Sequence, residues 1–183
     1  YARKHLANHG IRVHVNTLAQ KFIGEDGVRS VQTSAGMFPA ELVILSVGVR
    51  PNTAFLNDTG LEMVKGTLVV NSRMQTNLPH IYAAGDCCMV ANRITGEAQW
   101  SPMGSSANLE GRTLAQVLGG EDKQFGGVLG TAVVKLPGMN AGRTGLTEAQ
   151  AVKAGYDVIT ALSVTDDKAH YYPDADSFVT KMI

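Results

Sequence analysis

The sequence has few cysteines, few aromatic residues and little charge. Of 183 residues, two are cysteine, one is tryptophan and 17% are charged. Sixteen basic side chains balance sixteen acidic ones without a basic block, which argues against a nucleic-acid or anionic-lipid surface. No apolar run approaches the roughly 18 residues of a membrane span, and we expect no signal peptide. These absences predict a globular, cytoplasmic protein that binds neither nucleic acid nor membrane.

Side chains that form disulfides or metal sites are also scarce. Cys87 and Cys88 are adjacent, and a disulfide between neighbours closes a strained ring, so two buried thiols are the favoured interpretation and a redox pair is the alternative. His5 and His9 have a spacing that can bind zinc on a helix, but no third ligand is evident. We therefore expect no metal site.

One stretch, Thr76–Asp86, stands out among the features that are present. Its apolar residues Ile81–Ala84 lie between Pro79 and a Gly-Asp pair, which predicts a short buried strand with a carboxylate at its carboxyl end. Ligands bind at such ends in open α/β sheets. Gly85 permits close backbone approach, and Asp86 offers acceptors suited to polyol hydroxyls. An ordinary turn after a strand is the alternative.

A second apolar run ends in glycine in the same way. Residues Leu42–Val47 are almost continuously apolar, which predicts a strand covered on both faces, and Gly48 follows them. Before this run, the sequence predicts a helix over Tyr1–Asn8, a strand over Ile11–Val15 and a meander from Ala19 onward whose first turn contains Asp-Gly.

The second half of the chain predicts two helices and several strands. Ser101-Pro102 resembles an N-cap and first helical position, opening a helix to Leu118 with small residues at Ala107, Gly111 and Ala115 for close packing. Thr147 and Gln150 have capping-box spacing. Strands are predicted at Thr67–Val70, Thr131–Leu136, Tyr156–Val164 and Ser177–Ile183, and a hairpin loop at Asn92–Glu97. Because the first helix lacks a cap and the last strand a partner, we expect a chain truncated at both ends.

Three segments resemble the C-terminal half of the FAD-dependent pyridine nucleotide-disulfide oxidoreductases. They are Ile44–Asn52, the Thr76–Asp86 stretch and the helix containing Ala107-Asn108 and Gly111-Arg112; Ala169–Pro173 adds a less specific match. The nearest branch comprises the CoA-disulfide reductases, NADH oxidases and NADH peroxidases. The resemblance implies an α/β fold of partial FAD- and NAD(P)-binding Rossmann-like domains followed by an α+β dimerisation domain. The implied boundaries are 1–75 for the NAD(P)H part, 76–120 for the FAD part and 121–183 for the dimerisation part.

The resemblance also implies roles for individual residues. Asp86 matches an aspartate that hydrogen-bonds the flavin ribityl chain, and the helix after Ser101 points its N-terminus at the flavin. The implied FAD contacts are Thr76, Gly85, Asp86, Pro102 and Met103. Gly48 would lie near the nicotinamide of NAD(P)H, Asn108 would contact substrate, and Tyr171 would act as an accessory catalytic residue in the partner subunit of a homodimer.

The implied activity is transfer of electrons from NAD(P)H through FAD to an active-site cysteine that reduces a CoA disulfide or persulfide. An NADH oxidase or peroxidase is the alternative within the family. The nucleophilic cysteine and both Gly-x-Gly-x-x-Gly fingerprints are missing, so we expect this chain alone to be inactive. A non-catalytic self-association module is the alternative from another class.

Overall fold

Within residues 2–183 the chain forms three α-helices that alternate with groups of short β-strands. The computed structural model describes residues 2–183, which divide into two compact units: the chain up to Arg50 with Val134–Ala141, and Pro51–Val133 with Gly142–Ile183. The helices are α1 (Ala2–Asn8), α2 (Gly104–Leu118) and α3 (Glu148–Lys153), with a 3₁₀ turn at Ala54–Leu56. The strands are β1 (Ala19–Ile23), β2 (Ser30–Thr33), β3 (Gly36–Pro39), β4 (Met63–Val64), β5 (Thr67–Val69), β6 (Cys88–Ala91), β7 (Ala98–Trp100), β8 (Ala132–Leu136), β9 (Met139–Arg143), β10 (Ala161–Asp166) and β11 (Ser177–Met182).

The first unit contains α1 and a three-stranded antiparallel sheet in the order β1-β2-β3. This confirms the predicted meander, in which Phe22 of β1 pairs with Val31 of β2. The predicted first helix is confirmed over Ala2–Asn8, and Tyr1 lies outside the described residues. The imidazole Nε2 of His5 lies 2.5 Å from the carbonyl oxygen of Pro137, so α1 contacts the turn between β8 and β9.

Two strands predicted for this unit are wrong. Ile11–Val15 and Leu42–Val47 are irregular, and neither pairs with a strand among residues 2–183. Ile44 is 81% exposed and Val47 91%, so the predicted cover on both faces is not observed. A strand needs a hydrogen-bonded neighbour for its backbone groups, and the described part of the chain places none beside these segments.

The second unit is built on a four-stranded sheet in the order β4-β5-β6-β7. Strands β5 and β6 are parallel, with Leu68 beside Cys88, and the other two pairs are antiparallel. Parallel neighbours need a crossover connection, which here is formed by residues 70–87. The predicted strand at Thr67 is confirmed over Thr67–Val69, and the hairpin loop at Asn92–Glu97 joins β6 to β7.

The core of this unit lies between the crossover, β6 and α2. The side chain of Met74, within the crossover, is 0% exposed. Leu114 of α2 and Phe125 pack against the same cluster. The buried members of the cluster are Val70, Met74, Cys88, Val90 and Val128.

The predicted strand at Ile81–Ala84 is wrong. Only a single antiparallel bridge, between Gln75 and Tyr82, forms there in the described chain. Met74 has a φ of 60° and His80 a φ of 65°, so the backbone leaves the β region on both sides of the bridge and no ladder extends from it. The segment is instead a half-buried loop, in which the Ala83 N–H donates to the Met74 carbonyl at 3.0 Å.

Helix α2 begins at Gly104, two residues later than Ser101-Pro102 predicts. Ser101 does not cap the helix, because its Oγ lies 3.0 Å from Oγ of Ser106. The N-cap is Met103, whose extended backbone (φ −131°, ψ 130°) precedes the first turn. The predicted end at Leu118 is confirmed, with Gly119 as C-cap.

The last elements follow the sequence pattern more closely. Thr147 caps α3 in a reciprocal box with Gln150: the Gln150 N–H donates to Thr147 Oγ1 at 3.3 Å, and the Thr147 N–H donates to Gln150 Oε1 at 2.9 Å. Strands β10 and β11 form an antiparallel pair, although β10 starts at Ala161 rather than Tyr156. Among the described residues, no helix has the length and apolar character that a membrane crossing requires.

Candidate functional site

The turn at Gly85-Asp86 lies against the beginning of α2. Gly85 has a φ of 95°, a conformation that side chains with a Cβ rarely adopt. A Cβ at this position would lie 3.8 Å from the Cβ of Ala107. The small side chain of Ala107 therefore allows the close approach that the Ala107, Gly111 and Ala115 stripe predicts.

Glu110 joins α2 to this turn. Its side chain is 2% exposed, and Oε2 accepts a hydrogen bond from the Gly85 N–H at 2.7 Å. Burial raises the pKa of the Glu110 carboxyl above its usual 4.5; the hydrogen bond from Gly85 lowers it, and the charge of Asp86 raises it further. The net result is a carboxyl that keeps its proton to higher pH than an exposed glutamate.

The backbone of Asp86 is held while its carboxylate stays exposed. The indole Nε1–H of Trp100 donates to the Asp86 carbonyl oxygen at 2.7 Å, and Gly85 is fixed by Glu110 on the other side. The Asp86 residue itself is exposed to solvent. A carboxylate on a fixed backbone is well suited to accept hydrogen bonds from ligand hydroxyls.

Thr76 ties the two arms of the crossover together. It is 8% exposed, and its hydroxyl lies 3.0 Å from the Ile81 carbonyl oxygen and 3.3 Å from that of Leu78. Its Oγ1 also accepts the Leu78 N–H at 3.2 Å. The structure therefore gives Thr76 a role in shaping the loop before Asp86, and its predicted contact with FAD stays a prediction.

Pro102 and Met103 lead directly into α2. Pro102 is half-buried and Met103 is 38% exposed. Within the described residues, no side chain caps the first N–H groups of α2, so its N-terminus keeps a partial positive charge one turn from the Gly85 contact at Ala107.

The other predicted site residues, Asn108, Gly48 and Tyr171, are all exposed, and their predicted roles stay predictions. Asn108 is exposed on α2. Gly48 belongs to the first unit and has a φ of 95°. Tyr171 is 75% exposed in the loop between β10 and β11, and its ring stacks on Tyr172 with centroids 5.2 Å apart.

The cysteine pair follows the turn directly. The Sγ atoms of Cys87 and Cys88 lie 3.7 Å apart, and both thiols are free. Burial raises the pKa of the Cys88 thiol strongly, and Cys87 and Glu110 raise it further. A thiol that stays protonated is a poor nucleophile, which argues against a redox role for Cys88.

His5 of α1 and His9, which follows the helix, contact each other and the backbone. Their ring centroids are 4.6 Å apart, and Nδ1 of His9 lies 3.0 Å from the His5 carbonyl oxygen. Among residues 2–183, no group of three or more His, Cys, Asp or Glu side chains is placed to hold a metal ion.

Comparison with known proteins agrees with the predicted resemblance. Residues 1–107 match the family model of the pyridine nucleotide-disulphide oxidoreductases. The chain belongs to this family. Its mixed α/β fold is therefore the Rossmann-like fold of these flavoproteins, which confirms that part of the predicted fold class, whereas the dimerisation domain stays a prediction. Membership also confirms FAD and NAD(P)H as the cofactors of the family and oxidoreduction as its chemistry.

Members of the family that are similar to this chain are named for several different activities. A "NAD(P)H coenzyme A polysulfide/persulfide reductase" of Pyrococcus horikoshii is 40% identical over 89% of this chain and 38% of its own length. An "NADH oxidase" of Methanocaldococcus jannaschii is 33% identical over 99% of this chain and 40% of its own length. The solved structure of an NAD-dependent persulfide reductase from A. fulgidus has a TM-score of 0.90 and 31% identity, covering 98% of this chain and 34% of that one. The chain thus spans about two fifths of the curated relatives' length.

Glu110 and Trp100 are the residues at the Gly85-Asp86 turn that sequence reasoning missed, and Glu110 lies on the helix. A signal was present, because Glu110 lies three residues after Ala107, on the small-residue face of α2 that is predicted to pack closely. A charged residue on a packing face needs a buried partner, and the Gly85 N–H supplies it.

Proposed function

We propose that this chain is part of a flavoprotein that passes electrons from NAD(P)H through FAD to an active-site cysteine, which reduces a CoA disulfide or persulfide. The observation that supports the proposal best is the Gly85-Asp86 turn, whose backbone is fixed by Glu110 and Trp100 while the Asp86 carboxylate stays exposed. Neither Cys87 nor Cys88 is the reactive cysteine on this proposal, because both follow the segment proposed to bind the flavin ribityl chain, and burial raises the pKa of the Cys88 thiol.

The residues around the turn fit the chemistry of FAD. The Asp86 carboxylate accepts hydrogen bonds from hydroxyls of a polyol chain, and Gly85 leaves room for backbone approach. Met103 and Pro102 bring the positive end of α2 to the site, where it favours negative charge on a ligand. When bound, FAD supplies hydride acceptance from NAD(P)H and electron release to the next acceptor. Thr76 is proposed as a further contact and Gly48 as the NAD(P)H-side residue.

The choice of a CoA-type substrate is supported by the Pyrococcus horikoshii relative, which is named a coenzyme A polysulfide/persulfide reductase, and the A. fulgidus persulfide reductase supports a persulfide substrate. We assign Asn108 to substrate contact and Tyr171 to an accessory catalytic role in the partner subunit of a homodimer. We also propose the domain division 1–75, 76–120 and 121–183 and a cytoplasmic location. An exposed Tyr171 supports the role in trans, because a phenol at the surface is available to a second subunit.

The NADH oxidase of Methanocaldococcus jannaschii supports the second candidate, reduction of oxygen or peroxide. A stopped-flow assay of the NADH-reduced complete protein distinguishes the two. Faster reoxidation by CoA disulfide or persulfide than by oxygen or peroxide supports the proposal, and the reverse order supports the alternative. A colourless protein that rejects added FAD would favour the non-catalytic self-association module instead.

The role of Asp86 is tested by Asp86→Ala in the complete protein. We expect FAD to be lost during purification, since an unpaired polyol hydroxyl costs about 1–3 kcal/mol, or roughly five- to 150-fold in affinity. Asp157→Ala, which removes another exposed aspartate of the same unit, is the control and should retain FAD. Equal flavin content in both variants by absorbance at 450 nm contradicts the assignment.

A further inference from the structure

The Glu110–Gly85 hydrogen bond requires a carboxyl group to be buried, and burying it costs free energy. Placing a carboxylate at 2% exposure is unfavourable unless its partner recovers the lost hydration, and here the partner is one backbone N–H at 2.7 Å. The titratable groups that interact with Glu110 are Asp86, which lies on the same turn as Gly85, and the thiol of Cys88, whose pKa Glu110 raises. A neutral apolar side chain at position 110 would avoid this desolvation, but it would leave the Gly85 N–H without this acceptor.

The geometry explains what this contact does. Gly85 has no side chain and a φ of 95°, so its own conformational preference is weak. The N–H of Gly85 belongs to the Ala84–Gly85 peptide, so bonding it to a buried helix residue anchors the backbone one residue before Asp86. The Trp100 bond to the Asp86 carbonyl limits the peptide on the other side.

We infer that Glu110 is a positioning residue: it orders the Gly85-Asp86 turn on α2 so that the Asp86 carboxylate is pre-organised for a polyol hydroxyl. The inference rests on the proposed function, in which Asp86 binds the FAD ribityl chain. Pre-organisation lowers the entropy that binding has to offset, so Glu110 contributes to affinity without touching the ligand.

The test is a double-mutant cycle on FAD affinity in the complete protein. FAD is titrated into deflavinated wild type, Asp86→Ala, Glu110→Ala and the double variant, and fluorescence quenching gives each Kd. We expect Glu110→Ala to weaken binding about tenfold, and to add less than about twofold once Asp86 is gone, because its effect passes through Asp86.

Two further variants distinguish a role of Glu110 in positioning Asp86 from a general contribution to protein stability. Glu110→Gln keeps an oxygen that accepts the Gly85 N–H, so it should restore the Kd to within about threefold of wild type. Val117→Ala removes another buried side chain of α2, 8% exposed, and should lower stability while leaving Kd unchanged. This variant shows what a purely structural loss in α2 does.

The outcomes are distinct. If Asp86→Ala weakens FAD binding and Glu110→Ala does not, Glu110 is not a positioning residue and the proposed function stands. The same conclusion follows if the fold-changes in Kd of the two single variants multiply in the double variant. If Val117→Ala weakens binding as much as Glu110→Ala, the effect is general loss of α2 and the inference is also overturned. If Asp86→Ala leaves Kd unchanged, the proposed FAD contact fails and the inference fails with it.

Discussion

Two apolar segments of this protein have the same sequence pattern and different structures. Leu42–Val47 and Ile81–Ala84 each end in a glycine with a φ of 95°. The first is exposed, with Val47 at 91%, and pairs with no strand in the described chain. The second is half-buried and hydrogen-bonded to the loop around Met74 and Thr76.

The difference lies in the neighbours and not in the segments. An apolar run gains stability only where another surface covers it, and its backbone groups need partners. Ile81–Ala84 has both, from the crossover and from α2, whereas Leu42–Val47 has neither among residues 2–183. The same pattern therefore marks a segment that can be buried, and the surrounding chain decides whether it is.

Among the substitutions that test this contrast, Met74→Ala is expected to lower the free energy of unfolding most. Met74 is fully buried beneath the second segment, so its truncation should lower the free energy of unfolding by about 2–5 kcal/mol. Urea denaturation followed by circular dichroism measures the change. A loss below about 1 kcal/mol would show that the core under Ile81–Ala84 is loosely packed and would weaken the comparison.

Alanine at the two glycines gives a matched pair, since both have a φ of 95°. At Gly85 the turn is fixed by Glu110 and Trp100, so Gly85→Ala should cost about 1–2 kcal/mol from the left-handed backbone. At Gly48 the same φ strains the new residue, but no described atom beyond its chain neighbours lies within 4 Å of the new Cβ and the unpaired segment can relax, so Gly48→Ala should cost less than Gly85→Ala. Equal costs in urea denaturation would contradict the difference in anchoring.

We expect a smaller, pH-dependent difference in the free energy of unfolding between wild type and Glu110→Gln. Because the folded-state pKa of Glu110 is raised, the folded protein binds a proton more tightly than the unfolded chain. This contribution is complete below the usual pKa of 4.5 and is lost as pH rises through the raised value. Stability measured from pH 4 upward should therefore fall in wild type relative to Glu110→Gln. A constant difference across that range would show that Glu110 has an ordinary pKa.

The smallest effect is expected from Ile44→Ala in this chain. Ile44 is 81% exposed, so its truncation should change the free energy of unfolding by no more than about 0.5 kcal/mol. The measurement is the same urea titration as for Met74→Ala. A loss near that of Met74→Ala would mean that the first segment is covered after all.

Local chemistry in the sequence predicts several elements well. The Thr147 and Gln150 box, the glycine end of α2 and the Asp-Gly turn between β1 and β2 depend on residues close in sequence, which interact whatever the rest of the chain does. Ile81–Ala84 is wrong as a strand because the backbone turns at Met74 and His80, and methionine is not a residue that typically has a positive φ.

The candidate site is predictable in part for the same reason. Asp86 follows from the Gly-Asp pair and the polar chemistry of its carboxylate. Glu110 is 24 residues away from Asp86 along the chain, so its contact with Gly85 depends on how α2 packs and cannot be read from either segment alone. The Trp100 bond to Asp86 is a tertiary contact of the same kind.

That indole bond has a practical consequence. The chain contains a single tryptophan, and its Nε1–H donates to the carbonyl of Asp86. Intrinsic tryptophan emission from this chain therefore originates at the candidate site itself, with no label and no second indole to subtract. The wavelength of that emission reports whether the indole is hydrogen-bonded and sheltered or released to water. A change in the turn can therefore be followed as a shift in the emission maximum.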